Sequence, residues 1–321
     1  MKILITGAAG FIGSHLAKYC EDQGHRVNRV DNNWDNNSEH WAHSCDVSKW
    51  HEISYVFNYC KPDVCFHLAA YASEGRSNHI RSFIHKNNTV GTANVINACV
   101  NHNCKLVFTS SVAVYSGSPP FTETMTPRPI DEYGLSKYMS ERSIQIAGDT
   151  QGLDYCIIRP RNVYGPGQNM WDRSRNLFGI WMYNALHDLP LTIFGEGSNM
   201  RTFTYIDDII PALYRAKDIS SEVINLGSER AYTIHQAAVE FCLVSGLDYK
   251  KSVVHTEERH EVQQAYCNIT KSINLLHFMD RTLIDVGLKK MWDWAKAQPE
   301  RPLQSMPPLE VTINAHSSLK A

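Results

Sequence analysis

The stretch TGAAGFIGSH, residues 6–15, decides the fold of this chain. It follows a short apolar run, residues 2–6, and opens a segment with apolar residues at helical spacing, so it joins a predicted strand to a predicted helix. Its three glycines are Gly7, Gly10 and Gly13. In such a unit the first glycine permits a tight turn, the second lets the backbone approach a pyrophosphate, and the third lets helix and strand pack closely. The pattern predicts a dinucleotide site with the phosphates at the helix N-terminus.

An acidic residue closes the second predicted strand, residues 25–31. Asp31 lies eighteen residues beyond Gly13, where a carboxylate accepts hydrogen bonds from a ribose diol. Two asparagines follow it, and no arginine follows to neutralise a 2′-phosphate, so the sequence favours NAD; Arg29 keeps NADP as the alternative. Asp46 is a further candidate, which either accepts a hydrogen bond from the adenine amine or caps a helix.

Strands and helices alternate along the first half of the chain, which predicts parallel βαβ units in a Rossmann-type, doubly wound α/β sheet. Ligands bind where the carboxyl ends of such strands meet. The predicted strands are 2–6, 25–31, 64–68, 105–109 and 154–158, and the predicted helices are 11–23, 86–102, 133–150, 207–217 and 280–297. The rhythm changes after about Gly165. We expect a cofactor domain over 1–165, rejoined by 204–228, and a smaller C-terminal α+β substrate lobe over 166–203 and 229–321.

The composition excludes several classes of partner. The 321 residues are 43% hydrophobic, with a net charge of −2 and a pI of about 6.7, which indicates neither a nucleic-acid-binding surface nor a basic membrane patch. No apolar run approaches the roughly 18 residues that a membrane span needs, and the N-terminal strand leaves no place for a signal peptide. Nine scattered cysteines without a CxxC pair predict a reduced, cytoplasmic protein with buried thiols and no metal site.

The stretch YGLSK, residues 133–137, places Tyr133 and Lys137 on one face of a predicted helix. A phenol has a pKa of about 10, and a neighbouring ammonium group favours the phenolate that acts as a base near neutral pH. The stretch TSSVAVY, residues 109–115, follows the fourth predicted strand and delivers a hydroxyl group to the same pocket. The alternative is a solvated tyrosine and lysine on a surface helix, because this five-residue pattern is common.

Together these stretches resemble the extended short-chain dehydrogenase/reductases of the nucleotide-sugar epimerase/dehydratase group. The resemblance covers nearly the whole chain and rests on nine stretches in the order and spacing of that group: TGAAGFIGSH, the DNN after the second strand, CDV, FHLAA, NNTVGT, TSSVAVY, YGLSK, RPRNVYGP and RTFTYIDD. It implies NAD as cofactor and a nucleotide sugar in the smaller lobe. It also implies a homodimer through helices 86–102 and 133–150, with Val95, Ile96 and Val100 as candidate contacts that core packing explains equally well.

The resemblance also implies roles for individual residues. The expected NAD-binding residues are Gly7, Gly10, Phe11, Ile12, Gly13, Asp31, Asn32, Asp46, Val47, Leu68, Ala69, Ala70, Asn88, Tyr133 and Lys137. The expected catalytic residues are Ser111, Tyr133 and Lys137, with Ser110 as the neighbour most easily confused with Ser111. The expected nucleotide-sugar-binding residues are Ser111, Tyr133, Asn162, Asn176, Leu177, Thr192, Phe194, Arg201 and Arg259. The two arginines match the diphosphate, which suits a guanidinium group; surface salt bridges are the alternative.

The residues after Ser111 indicate which reaction follows. Members of the group share a first step, in which the tyrosine takes the proton of the sugar 4-hydroxyl while hydride leaves C4 for NAD. The 4,6-dehydratases carry an Asp–Glu pair after the serine or threonine, and this chain has Val112 and Ala113 there. An apolar wall suits a 4-epimerase, in which no additional proton transfer is wanted. The prediction is 4-epimerisation of a UDP-sugar; the alternatives are a 4,6-dehydratase, a 4-keto reductase and a catalytically inactive nucleotide-binding regulator.

The sugar stays open between UDP-glucose/galactose, UDP-GlcNAc/GalNAc and UDP-glucuronate. Arg76 lies in a loop after a predicted strand, and Arg161 takes a position where the group more often has an aromatic residue. Either guanidinium suits a uronate carboxylate; the alternatives are a solvated loop for Arg76 and the sheet interface for Arg161. A small residue at Ala265 leaves room for an N-acetyl group, whereas a register shifted by one residue places Tyr266 there.

Overall fold

A computed structural model of the chain describes residues 1–32, 42–173, 176–258, 262–316 and 319. In these residues the strands are β1 Lys2–Thr6, β2 Arg26–Asp31, β3 Ala42–Ser44, β4 Val64–His67, β5 Lys105–Thr109, β6 Tyr155–Pro160, β7 Val163–Tyr164, β8 Leu191–Phe194, β9 Met200–Thr202, β10 Thr204–Tyr205, β11 Glu222–Leu226, β12 Ala231–Thr233, β13 Val253–Thr256 and β14 Gln264–Ala265. The helices are α1 Phe11–Asp22, α2 Trp50–Cys60, α3 Glu74–Ser77, α4 Arg81–Ile84, α5 Gly91–Asn101, α6 Glu132–Gln151, α7 Leu177–Leu186, α8 Ile206–Arg215, α9 Ile234–Ser245, α10 Tyr249–Ser252, α11 Thr270–Leu276 and α12 Ile284–Lys296.

Seven of the described strands form one parallel sheet in the order β11–β6–β5–β4–β1–β2–β3. The chain runs outward from β1 to β3 and then crosses back to β4 on the other side of β1. The strand order therefore reverses between β1 and β4, and ligands of open α/β sheets bind beside such a reversal, at the carboxyl ends of the strands. The predicted doubly wound, Rossmann-type fold is confirmed.

The central strands are buried on both faces, which explains why their sequences are nearly continuous apolar runs. On β1, Ile3 and Ile5 belong to one apolar cluster, whereas Leu4 belongs to the cluster on the opposite face of the sheet. Successive side chains of a strand point to opposite faces, so a single short strand contributes to both halves of the core.

Several boundaries differ from the sequence prediction. The predicted helix 86–102 begins at Arg81, because α4 continues into α5 through a π-helical segment, His85–Val90. Helices α2, α7 and α9 were not predicted from the sequence. The stretch 222–227 does return to the sheet, where Ile224 of β11 pairs with Ile158 of β6. The division into two domains stays a prediction.

The lobe beyond β7 contains small sheets packed on helices. β9 lies between β12 and β14, and β13 pairs with β8. Trp181 of α7 and Phe241 of α9 meet edge to face, with ring centroids 5.7 Å apart, in the core that joins this lobe to the main sheet. Among the described residues, no helix combines the length and apolar character that crossing a bilayer requires.

The close packing of α1 on β1 depends on one glycine. A Cβ at Gly13 would lie 2.1 Å from the carbonyl oxygen of Gly7. We expect Gly13→Ala to lower the free energy of unfolding by about 1–3 kcal/mol, because overpacking forces the backbone apart. It should also weaken NAD binding, measured by titration beside chemical denaturation. The control is Lys18→Ala, which removes an exposed ion pair with Asp22 on the same helix and should cost no more than about 0.5 kcal/mol. Unchanged stability and NAD affinity in the glycine variant would contradict this packing.

Candidate active site

The loop between β1 and α1 leaves the first turn of the helix without a side-chain cap. Gly10 precedes the helix, and its N–H donates to the carbonyl oxygen of Gly7 at 3.1 Å. Gly7 has a φ of +72°, and a Cβ there would lie 2.7 Å from the amide nitrogen of Ala69. The loop thus lies against the end of β4 with no room for side chains. The helix N–H groups of Phe11 and its neighbours suit the pyrophosphate of a dinucleotide.

The other expected NAD-binding residues surround this loop. Asp31 ends β2, and its Oδ2 accepts a hydrogen bond from the N–H of Ala9 at 3.0 Å. Asp46 does not cap α2, because that helix has Lys49 as its N-cap; its Oδ1 accepts from the N–H of Ser48 at 2.9 Å. Further expected residues lie in the first turn of α1 or just beyond β2, β3 and β4: Ile12, Asn32, Val47, Leu68 and Ala70.

Asn88 connects the loop after β4 to α6. Its Oδ1 accepts from the N–H of Tyr71 at 2.8 Å, and its Nδ2 donates to the carbonyl oxygen of Tyr71 and to Ser136 Oγ, each at 3.1 Å. Asn88 is buried in the π-helical segment. These bonds indicate that Asn88 holds the backbone around the expected NAD site; Ser136, its partner, was not singled out from the sequence.

The N-terminus of α6 is pressed against the turn that follows β5. A Cβ at Gly134 would lie 2.2 Å from the carbonyl oxygen of Ala113, so only glycine allows this approach. Asp131 caps the helix, with its Oδ1 accepting from the N–H of Gly134 at 2.7 Å. Burial raises the pKa of Asp131 to about 6, against the opposing effect of its backbone hydrogen bonds. Tyr133 therefore starts a helix whose position is set by both contacts.

Lys137 lies one turn after Tyr133, as the spacing predicts. Its Nζ is 5.9 Å from the centroid of the Tyr133 ring and donates to the carbonyl oxygen of Thr109 at 2.8 Å. The solvated alternative is wrong for this pair, because both side chains are buried. Burial lowers the pKa of Lys137 to about 7, while the charge of Glu141 acts in the opposite direction. The amine is thus close to the point where it gains or loses a proton near neutral pH.

The two serines after β5 have different surroundings. Ser110 Oγ donates to Glu141 Oε1, and Glu141 is also bound to Arg159 through Nε at 2.8 Å and Nη2 at 2.5 Å. All three side chains are buried. Ser111 instead begins a 3₁₀ turn, and its Oγ accepts from the N–H of Ala113 at 3.1 Å. Ser110 is committed to a buried ion pair, which leaves Ser111 as the hydroxyl group available for chemistry.

The ion pair extends behind the turn. Arg159 also donates to the hydroxyl oxygen of Tyr115, and that hydroxyl donates to Asn225 Oδ1 at 3.0 Å. Tyr115 stacks on Phe121, with ring centroids 5.1 Å apart. Sequence reasoning did not single out this network. The signal was present, since Glu141 lies four residues after Lys137 and Arg159 lies within the RPRNVYGP stretch.

The expected substrate residues of the smaller lobe occupy strand and helix ends. Asn162 and Asn176 both have positive φ, +30° and +58°. Asn162 Nδ2 donates to the carbonyl oxygen of Thr202 at 2.9 Å, and Asn176 is the N-cap of α7. The remaining residues are half-buried, on α7 for Leu177, on β8 for Thr192 and Phe194, and on β9 for Arg201. Arg259 lies outside the described residues.

Two arginines offered for a uronate are occupied by backbone carbonyl groups. Arg76 is buried, and its Nη1 and Nη2 donate to the carbonyl oxygens of Leu319 at 3.0 Å and Pro307 at 2.5 Å. The loop alternative is therefore wrong as well, since this side chain is not solvated. Arg161 is buried at the sheet interface and donates to the carbonyl oxygens of Ser228 and Cys267. Their positions argue against direct contact with a substrate carboxylate.

The fold and this constellation define an extended short-chain dehydrogenase/reductase. A family model described as the NAD dependent epimerase/dehydratase family matches residues 3–227. The chain belongs to the NAD-dependent epimerase/dehydratase family. NAD is its cofactor, and the uncapped glycine loop is the part of the structure that fits it.

Known relatives resemble the chain over almost its whole length. The UDP-N-acetyl-α-D-glucosaminuronate decarboxylase of Bacillus cytotoxicus is 29% identical, over 91% of this chain and 97% of its own. The crystal structure of the UDP-glucose 4-epimerase of Thermotoga maritima with UDP-glucose is 28% identical, covers 92% of this chain and 99% of its own, and superposes with a TM-score of 0.86. The UDP-glucuronic acid 4-epimerase of Bacillus cereus, in complex with UDP-glucuronic acid and NAD, has the same identity and coverage, with a TM-score of 0.83.

The different surroundings of the two serines can be tested by turnover. Ser111→Ala should lower kcat of the NAD-dependent reaction about 100-fold, the usual effect of losing one donor at a reacting oxygen. Ser110→Ala is the matched control; it should lower stability by about 1 kcal/mol and leave kcat within about tenfold, since Glu141 keeps its arginine partner. Equal losses of kcat in two equally stable variants would reverse the assignment.

Proposed function

We propose that the chain catalyses reversible NAD-dependent 4-epimerisation of a UDP-sugar. The observation that carries the proposal is the apolar 3₁₀ turn Val112–Val114, which lies between Ser111 and the contact with Gly134. It places aliphatic side chains, and no acid, base or thiol, directly after the catalytic hydroxyl. A 4-keto intermediate in such a site is expected to be reduced again rather than to eliminate or to exchange protons at neighbouring carbons.

In the proposed reaction Tyr133 removes the proton of the sugar 4-hydroxyl, and Ser111 donates a hydrogen bond to the same oxygen. NAD, when bound, accepts hydride from C4 and returns it to the opposite face of the sugar. The ammonium of Lys137 stabilises the Tyr133 phenolate electrostatically, and its bond to Thr109 holds it beside that ring. Tyr133 then returns the proton to the 4-oxygen, so the cofactor is regenerated and nothing is consumed.

The alternatives need groups that this turn lacks. A 4,6-dehydratase needs an acid and a base for removing water, and the chain has Val112 and Ala113 at those positions. The buried carboxylate of Glu141 is paired with Arg159, and that of Asp131 caps α6. Retention of Ser111, Tyr133 and Lys137 together is the argument against an inactive regulator. Decarboxylation is the reaction named for a relative at 29% identity, so it belongs in any test of product.

We favour a neutral hexose or N-acetylhexosamine over a uronate as the sugar. The support is the position of Arg76 and Arg161, whose terminal nitrogens already donate to backbone carbonyl groups. Ala265 is half-buried at the end of β14, and the carbonyl oxygen of Tyr266 accepts from the N–H of Phe121 at 2.9 Å. These positions leave hexose and N-acetylhexosamine as equal candidates.

A panel of UDP-glucose, UDP-GlcNAc and UDP-glucuronate tests the reaction. We expect the 4-epimer of at least one sugar, without net consumption of NAD. Tyr133→Phe should lower kcat at least about 100-fold, because the proton carrier is lost; Tyr55→Phe, on exposed α2, is the control. No 4-epimer from any sugar would count strongly against the proposal. A 4-keto-6-deoxy product, release of CO₂ or net cofactor turnover would identify the dehydratase, decarboxylase or reductase alternative.

We also propose that the chain forms a homodimer through α6. Leu135, Met139 and Ile146 are exposed on one face of this helix, at spacings of four and seven residues. The residues expected from the sequence are not the contacts, because Val95 and Ile96 are buried in the core and Val100 packs against it. The sequence identified the helix pair but not its exposed face.

A charge placed on that face tests the dimer. Met139 is 44% exposed, and Met139→Glu should halve the mass measured by size-exclusion chromatography with light scattering, because a carboxylate would be desolvated between two helices. Leu243, 73% exposed on α9, provides the control Leu243→Glu, which should keep the mass of the wild type. A wild-type chain that is already monomeric, or a Met139→Glu variant that stays dimeric, would refute the proposed interface.

A cytoplasmic location is proposed on the basis of the thiols. All nine cysteines are free and buried, which suits a reducing compartment. Burial raises the pKa of Cys20 and Cys156, each to about 12, so these thiols are poor nucleophiles. Recovery of the chain from an oxidising compartment with disulfides formed would contradict the assignment.

A further inference from the structure

The final part of the described chain, residues 304–316 with Leu319, is here named the closing segment. It starts beside the loop that follows β7. The N–H of Gln304 donates to the carbonyl oxygen of Trp171 at 2.9 Å, and Asn169 Nδ2 donates to Gln304 Oε1 at 2.8 Å. These contacts attach one end of the closing segment to the chain just beyond the RPRNVYGP stretch.

The other end of the closing segment is bound to the loop after β4. Arg76 donates to the carbonyl oxygens of Pro307 and Leu319, and the N–H of Glu310 donates to the carbonyl oxygen of His79 at 2.8 Å. A buried guanidinium that loses its acceptors is costly, so the Arg76 contacts favour one position of the segment. The segment therefore contacts two loops that are far apart in the sequence.

Glu310 makes a second type of contact. Its Oε2 accepts from the N–H of Ser82 at 2.8 Å, and its Oε1 accepts from the N–H of Phe83 at 2.9 Å. These are the second and third N–H groups of α4, which continues through the π-helical segment into α5. A carboxylate is stabilised at such a helix N-terminus by the free N–H groups and by the helix dipole. Glu310 thus fixes the closing segment to the helix that carries Asn88.

The order of the strands says what lies between these attachments. β5 lies between β4 and β6 in the sheet, and β7 follows β6 directly. A segment bound to the loops after β4 and β7 therefore spans the edge at which β5 ends, where Ser111 and Tyr133 lie. The closing segment also contacts the lobe, with the ring of His316 edge-on to Phe194 of β8 at 5.5 Å.

We propose that the closing segment forms the outer wall of the nucleotide-sugar site, and that Arg76 and Glu310 are the positioning residues that hold it. The identity of the ligand rests on the proposed function. The glycine loop and Asp31 lie at β1 and β2, on the other side of β4 from β5. The wall should consequently act on nucleotide-sugar affinity and leave NAD affinity unchanged. Arg76, expected from the sequence to touch the sugar, acts through the wall instead.

The test uses the full-length chain with saturating NAD and UDP as the probe. In Glu310→Ala and Arg76→Lys, we expect the Kd for UDP, measured by calorimetry, and KM to rise about tenfold, the effect of losing one or two charge-assisted hydrogen bonds. The Kd for NAD, kcat and Tm should stay near those of the wild type. Glu300→Ala is the matched control, because Glu300 is an exposed carboxylate just outside the closing segment.

Hydrogen exchange supplies a readout that a merely structural role would not move. UDP should slow exchange of the amides in residues 304–316 of the wild type, and Glu310→Ala should abolish that protection. An unchanged Kd for UDP in both variants, a parallel loss of NAD and UDP affinity, or no binding of UDP to the wild type would overturn the wall. Absence of any 4-epimer with UDP binding intact would instead overturn only the proposed reaction.

Discussion

The contact between the start of α6 and the turn after β5 is the constraint on which the candidate site depends. A Cβ on Gly134 would lie 2.2 Å from the carbonyl oxygen of Ala113, so the helix and the turn approach as closely as two backbones can. Tyr133 precedes that glycine and Ser111 begins the turn. One backbone contact therefore sets how the phenol and the hydroxyl group are placed relative to each other, and no flexible side chain takes part in it.

Buried charges fasten the same two elements from inside the protein. Lys137 binds the last carbonyl group of β5, and Glu141, one turn further on, binds Ser110 and Arg159. Removing one partner of a buried ion pair costs about 3–5 kcal/mol, whereas replacing the whole pair by apolar residues is often neutral. The pair is thus better understood as a device that specifies one arrangement of β5, α6 and β6 than as a source of stability.

Success and failure of sequence reasoning followed the range of the interactions involved. β1 was predicted because its residues are buried on both faces, which leaves a continuous apolar run in the sequence. α7 was missed because LFGIWMYNAL is apolar nearly all round, so it has no polar face to reveal a helical period. Arg76 was expected to contact the sugar, yet it binds carbonyl groups more than two hundred residues away. Nothing in the 71–81 stretch signals that partner.

By itself, the sequence determined the glycine loop, the acid at the end of β2, the Tyr–Lys pair and the absence of an acid after Ser111. Each of these depends on a spacing of a few residues within one strand, turn or helix, where local geometry is the same in any fold of this class. Only the tertiary structure decided that Ser110 joins an ion pair while Ser111 stays available, that α6 exposes Met139 and Ile146 while Val95 is core, and that Arg76 holds the closing segment. These outcomes depend on which elements pack together, and long-range packing decides burial, partner and charge state at once.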